Sequence, residues 1–127
     1  MEFPKDLKYT KDHEWIRVDG AVGVMGVTDY AQSELGDVVF VELPSVGKKL
    51  EQGKQFGTIE AVKTVSDLYA PISGEIVEVN ETLKDSPEVV NKDPYVGGWM
   101  VKVKISDKAE LNNLLDSTRY QEMVGQH

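Results

Sequence analysis

The 127-residue chain has no cysteine, which excludes structural disulfides, thiolate metal sites and thiol nucleophiles. It is also short of positive charge: 14 Lys and Arg stand against 22 Asp and Glu, a formal charge of −8. Binding nucleic acid needs a basic patch whose phosphate contacts release counterions, and no Lys/Arg cluster of that kind occurs. No apolar run approaches the ~18 residues that cross a bilayer, so no membrane association is expected. The opening Met1-Glu2-Phe3-Pro4-Lys5-Asp6 has neither a basic region followed by an apolar segment nor an Arg-rich, acid-poor composition. The expected location is therefore the bacterial cytoplasm, with an acidic surface suited to docking on basic partner proteins. Histidine is scarce too. Neither His13 nor His127 has the companions that a metal site or an acid–base pair requires, so no metal is expected. His13 reads instead as a packing or hydrogen-bonding residue beside Trp15. No phosphate loop or dinucleotide glycine fingerprint follows a strand, and no motif assembles a nucleophile with a base, so the chain does not read as an enzyme.

What is present is a series of short β-prone runs punctuated by glycine and proline. With 40% hydrophobic residues, the length suits a single domain over 1–127, with a core of about 14–105 and a C-terminal helical segment of about 107–124. Glu14 to Val18 and Ala21 to Val27 flank Asp19-Gly20, a dipeptide that accepts the positive φ of a primed hairpin turn. Glycines in the second run suggest that another backbone approaches there. Thr28 is placed to cap a short helix through Tyr30, Ala31 and Leu35, with Gly36 as its stop. Val38 to Leu43 is nearly continuous in apolar residues and reads as a buried strand ended by Pro44. Gly74 to Val79 is another strand. Trp99, Val101, Val103 and Ile105 alternate with Met100, Lys102 and Lys104, which predicts an inward-facing set with the lysines in water. Ser86-Pro87 predicts a capped helical turn through Val89 and Val90. Asp107 has capping-box spacing to Glu110 before Leu111, Leu114 and Leu115, and Asp116-Ser117 starts a further helix through Tyr120 and Met123. The expected fold is mainly β: a flattened barrel or sandwich with short peripheral helices.

Chemistry concentrates in residues 53–79. Thr58-Ile59-Glu60 and Val65-Ser66-Asp67-Leu68 are suited to pair as a hairpin with Ala61-Val62-Lys63-Thr64 at its tip, which points Lys63 into solvent. A lysine acylated by a separate enzyme needs this presentation, because its amine must enter that enzyme's active site to be deprotonated. Gly57 lies six residues before Lys63, Leu68 five after it, and Gly74 and Ile76 eleven and thirteen after it. This pattern resembles the biotinyl/lipoyl attachment domain, a flattened barrel-sandwich hybrid whose modified lysine sits on a tight hairpin. Biotinyl domains flank that lysine with methionines, whereas Val62 and Thr64 stand here, so the resemblance points to lipoyl.

A further set of motifs spans nearly the whole length: Tyr9-Thr10-Lys11-Asp12-His13-Glu14-Trp15, Gly26-Val27-Thr28-Asp29-Tyr30-Ala31, and Gly36-Asp37-Val38-Val39-Phe40-Val41-Glu42-Leu43-Pro44. Glu60-Ala61-Val62-Lys63, Ala70-Pro71-Ile72-Ser73-Gly74, Asn91-Lys92-Asp93-Pro94-Tyr95 and Gly97-Gly98-Trp99 complete it. This set resembles the H-protein family of the glycine cleavage system. Val65 departs from it, standing where a smaller residue is expected. The resemblance implies lipoic acid attached covalently as N6-lipoyllysine at Lys63, in a monomeric carrier that performs no chemistry itself. It implies three partners: glycine decarboxylase (P protein), aminomethyltransferase (T protein) and dihydrolipoyl dehydrogenase (L protein). A lipoate ligase or lipoyl transferase would load the arm. The ammonium of a carried aminomethyl group favours a carboxylate, for which Glu14 and Asp67 are the candidates. Two alternatives stay open: an H-like protein that mainly relays lipoyl groups to other lipoyl domains, and an unmodified binding module.

Overall fold

The computed structural model of the chain describes residues 1–125, so His127 lies outside the described residues. Runs of β-branched and aromatic residues form nine strands among them: β1 (Lys8–Tyr9), β2 (Glu14–Asp19), β3 (Val22–Val27), β4 (Val38–Glu42), β5 (Lys49–Leu50), β6 (Gln55–Ala61), β7 (Val65–Tyr69), β8 (Gly74–Val79) and β9 (Val101–Ile105). They build two antiparallel sheets, one in the order β1-β2-β3-β9-β8-β5 and one in the order β4-β6-β7. Neither sheet closes on itself. The expected β architecture is therefore realised as a flattened sandwich with four short α-helices: α1 (Asp29–Leu35), α2 (Thr82–Asp85), α3 (Val89–Lys92) and α4 (Ser117–Val124).

The alternation of buried and exposed side chains locates the core. Ile59 and Leu68 of the small sheet join Ile16, Met25, Ile76, Val101 and Val103 of the large one in one buried cluster. A second cluster, built on Leu7, Tyr9, Trp15, Val24, Tyr95 and Tyr120, seals the outer face of the large sheet beneath the C-terminal segment. Tyr9 and Tyr120 stack there with ring centroids 4.6 Å apart and planes within 5°.

Two glycines are demanded by close packing. A Cβ on Gly57 would run into the Glu42 carbonyl oxygen, and one on Gly74 into the Lys104 carbonyl oxygen. Both are backbone atoms of a paired neighbouring strand, which cannot step aside.

At α1 the local signals agree with the structure. Thr28 accepts from the Ala31 amide at 3.1 Å, and Gly36 ends the helix at φ +80°. Elsewhere the structure departs from expectation for physical reasons. The β2–β3 turn is Gly20-Ala21, with Asp19 still paired to Val22 and the positive φ carried by Gly20. Gly23 and Gly26 make room for the Ile16 side chain and the Trp15 indole, not for a backbone. In β4, Val38 and Val41 are buried but Val39 and Phe40 are exposed, because a bulge interrupts the register and nothing covers the outer face of the small sheet among the described residues. Trp99 precedes β9 and is only half-buried, its ring under the Lys102 ammonium at 4.8 Å, while Met100 is fully buried beside it. Ser86 provides no side-chain cap; its carbonyl accepts from Val89, and α3 begins two residues late, at Val89. Asp107 does cap, accepting from Ala109, but the helix it starts is a 3-10 helix over Lys108–Asn113.

Candidate functional site

Strands β6 and β7 pair Glu60 with Val65, Ile59 with Ser66, Thr58 with Asp67 and Gly57 with Leu68. That register leaves Val62, Lys63 and Thr64 as the connection. The Ala61 amide donates to the Thr64 carbonyl at 2.8 Å, and the Val62 amide donates to the Asp37 carbonyl at 3.0 Å, which ties the tip to the start of β4. The loop backbone is thus held while its side chains are free. Lys63 is exposed, and among the described residues it joins neither ion pair, Lys84–Glu81 or Lys102–Glu78. Val65 sits outward in a cross-strand row with Glu60 and Phe40 and is 60% exposed, so its extra bulk meets water and leaves the core untouched.

Glu14 is the opposite case. Its side chain is 2% exposed at the start of β2. One carboxyl oxygen accepts from the Thr10 hydroxyl at 2.6 Å, and the other accepts from the Tyr69 amide at 3.2 Å, on the open edge of β7. Burial pushes the Glu14 carboxyl up to about 8, against the downward pull of those two hydrogen bonds. Among the described residues no cation pairs with it. Asp67 is exposed by comparison; it accepts from the Gln55 side-chain amide at 2.9 Å and lies 3.5 Å from the Tyr69 hydroxyl.

The structure brings the two candidate carboxylates into one place. A cleft of about 140 Å³ is lined by Asp12, His13, Glu14, Glu34, Ser66 and Asp67 over an apolar floor that includes Val27 and Leu35. Glu14 also forms part of the wall of a larger cleft of about 410 Å³, which opens between Tyr69 and Pro71 on one side and Leu114, Leu115 and Met123 on the other. Sequence reasoning misses Thr10 and Tyr69 as partners of Glu14. It also misses Tyr120, whose hydroxyl lies 2.9 Å from His13 Nδ1 across 107 residues of sequence. Only the Thr10-x-x-x-Glu14 spacing within one turn offers a local signal. His13 is expected beside Trp15; its ring instead meets Tyr30, with centroids 4.9 Å apart, and Tyr120.

A two-sheet β-sandwich that presents a lysine on a tied but solvent-facing hairpin has the architecture of a carrier domain. The glycine cleavage H-protein family matches residues 7–127. The glycine cleavage system H protein of Symbiobacterium thermophilum is 61% identical over 117 residues, covering 92% of this chain and 91% of that protein. A crystal structure of a glycine cleavage system H protein from Mycobacterium marinum has a TM-score of 0.87 at 42% identity, covering 96% of this chain and 98% of that one. The chain belongs to the glycine cleavage H-protein family: it is a carrier component of the glycine cleavage system and not an enzyme. Proteins of this family carry lipoate.

Proposed function

We propose that Lys63 is the covalent attachment point of lipoic acid, and that the chain carries an aminomethyl group from glycine decarboxylase to aminomethyltransferase. Dihydrolipoyl dehydrogenase then returns the arm to its oxidised form. The observation that carries this reading is an exposed lysine, in neither ion pair of the described residues, on a hairpin tip one strand away from a small cleft holding two carboxyl groups. When bound, the lipoyl group supplies a cyclic disulfide that is reduced as it takes up its load.

The chain's own part is presentation and shelter. The tied backbone of residues 61–64 aims Lys63 at a partner's active site, and a lipoate ligase or lipoyl transferase acylates the amine there. From Lys63 to Asp67 is about 13 Å of strand, and to Tyr69 about 20 Å. Lysine and lipoyl together extend roughly 14 Å to the ring, so the small cleft at residues 66–68 is within reach. An ammonium entering the small cleft meets Glu14, whose carboxyl burial pushes up to about 8. It provides the missing positive charge, so Glu14 gives up its proton and becomes the partner carboxylate. Asp67 adds a second charge at the rim. The apolar floor limits the water that reaches the load. Because tethering supplies effective concentration, docking on each partner can stay weak and transient. The setting we propose is a monomer in the bacterial cytoplasm.

Reconstitution with the P, T and L proteins tests this: glycine-dependent NADH formation is expected with the lipoylated chain and absent with Lys63→Arg. In a chain with Glu14→Gln and Asp67→Asn, release of the carried group is expected several-fold faster. An unchanged lifetime would remove the sheltering role.

A further inference from the structure

We infer that Tyr120, on the C-terminal helix α4, is a positioning residue for the small cleft: its hydroxyl joins the His13 ring to the N-terminus of α1, fixing the walls on either side of Glu14. The inference rests on the reading of that cleft as the seat of a cationic load.

The geometry is a continuous chain of hydrogen bonds. Tyr120 is fully buried, with its hydroxyl 2.9 Å from His13 Nδ1 and 2.7 Å from the hydroxyl of Thr28, itself fully buried. Thr28 Oγ1 already accepts from the Ala31 amide at 3.1 Å, the cap of α1. Both buried hydroxyl protons find an acceptor only when Thr28 donates to Tyr120 and Tyr120 donates to His13 Nδ1, since among the described residues neither hydroxyl has another acceptor. This leaves Nδ1 as an acceptor and the ring proton on Nε2. Protonating His13 turns Nδ1 into a donor and leaves one of the two buried hydroxyl protons without an acceptor, which costs free energy.

His13 is held by its backbone as well. Its φ is +71°, the left-handed region that few non-glycine residues occupy, and its carbonyl accepts from the Thr28 amide at 3.0 Å. Such a residue persists only where its surroundings hold it, and here they bind the loop before Glu14 to the start of α1.

The charge state of the ring matters for the proposed cargo. An imidazolium in the cleft wall would repel an ammonium and compete for Glu14. Burial already lowers the His13 pKa, opposed by Asp12 and Glu34. The titratable groups around the ring are Asp12, Glu14, Glu34 and Asp67 in the cleft, with Tyr30 and Tyr120 against the ring. Among them only Tyr120 directs a hydrogen bond at Nδ1. A helix at the far end of the sequence thus keeps the wall neutral.

Tyr120→Phe isolates the hydroxyl, since the phenyl ring keeps the stacking on Tyr9. Three full-length chains are compared with wild type: Tyr120→Phe, Glu14→Gln, and Tyr9→Phe, which removes a neighbouring hydroxyl from the same stack without touching the chain of hydrogen bonds. NMR titration of His13 and its ring tautomer are read on unloaded protein, and release of the carried group on lipoylated, loaded protein. In Tyr120→Phe the His13 midpoint is expected to rise by about half a unit or more, with loss of the Nε2–H tautomer preference. Release is expected about threefold faster near pH 6 and little changed at pH 8, where the ring is neutral in both. Tyr9→Phe should leave the titration as in wild type. An unmoved His13 titration in Tyr120→Phe overturns the inference. So does release accelerated by Glu14→Gln but not by Tyr120→Phe. Normal retention in Glu14→Gln would instead overturn the shelter reading itself, and this inference with it.

Discussion

The loop that carries Lys63 and the loop that leads into Glu14 are both hairpin connections with backbone ties, and they differ in what their side chains do. Residues 62–64 are fixed through backbone bonds to Thr64 and Asp37, with every side chain in solvent. Residues 10–14 have backbone bonds too, among them His13 to Thr28, but their side chains are fixed as well: Thr10 on Glu14, His13 on Tyr120, Tyr120 on Thr28. Under the proposed function the difference reflects what each must do. An attachment point needs access for a foreign active site, so nothing may pack on its side chain. A group that receives cargo needs its geometry set before the cargo arrives, so its hydrogen bonds are made in advance.

This contrast is tested first at the strand beneath the Lys63 loop. If that loop takes its order from the sheet, its most sensitive position is Gly57 and not a loop residue. Gly57→Val forces a side chain against the Glu42 carbonyl and should cost about 3 kcal/mol or more in denaturant unfolding. A loss below about 1 kcal/mol would mean the small sheet yields easily.

The Glu14 loop should respond to pH instead. Its carboxyl is raised from 4.5 to about 8, so between those values the folded chain binds one more proton than the unfolded chain. That group's contribution to stability is therefore favourable at low pH and is lost as pH rises toward 8. Glu14→Gln is uncharged like the protonated form and keeps an acceptor for the Tyr69 amide. Relative to wild type it should gain on the order of 3 kcal/mol above about pH 8 and almost nothing near pH 4.5, read from melting temperatures across pH. A gain independent of pH would show that Glu14 is not held protonated.

The smallest effect belongs to the tip. Val65→Ala removes an exposed side chain and should change stability by less than about 0.5 kcal/mol, in either direction. A larger loss would place Val65 in the packing after all.

The two loops also differ in how far they can be read from sequence. The Lys63 hairpin is legible because its signals are local: strand alternation, a polar tip, and glycines at 57 and 74 where neighbouring backbones crowd. The α1 cap is legible for the same reason, Thr28 and Gly36 being the residues that bond or turn there. Continuity of apolar residues misleads at β4, since a run such as Val38 to Val41 looks the same whether one or both faces are covered. Alternation misleads at Trp99, because the chain enters β9 two residues later than the pattern suggests. The four-residue helix α2 is too short to show a period. Glu14 and Asp67 are chosen from sequence as partners of a cation, and they line one cleft; but burial of Glu14 is not readable in the polar run Lys11-Asp12-His13-Glu14. Its environment comes from Tyr69 and from a helix near the other end of the chain, contacts that no local pattern encodes.

The central claim is that Lys63, and no other lysine, takes the lipoyl group. Intact-mass spectrometry of the chain after incubation with lipoate, ATP and a lipoate ligase reads it directly. The account predicts a single lipoyl increment in wild type, and none in Lys63→Arg with its melting temperature unchanged. A lipoyl increment that persists in Lys63→Arg, or a wild-type chain that takes up biotin or nothing at all, would contradict it.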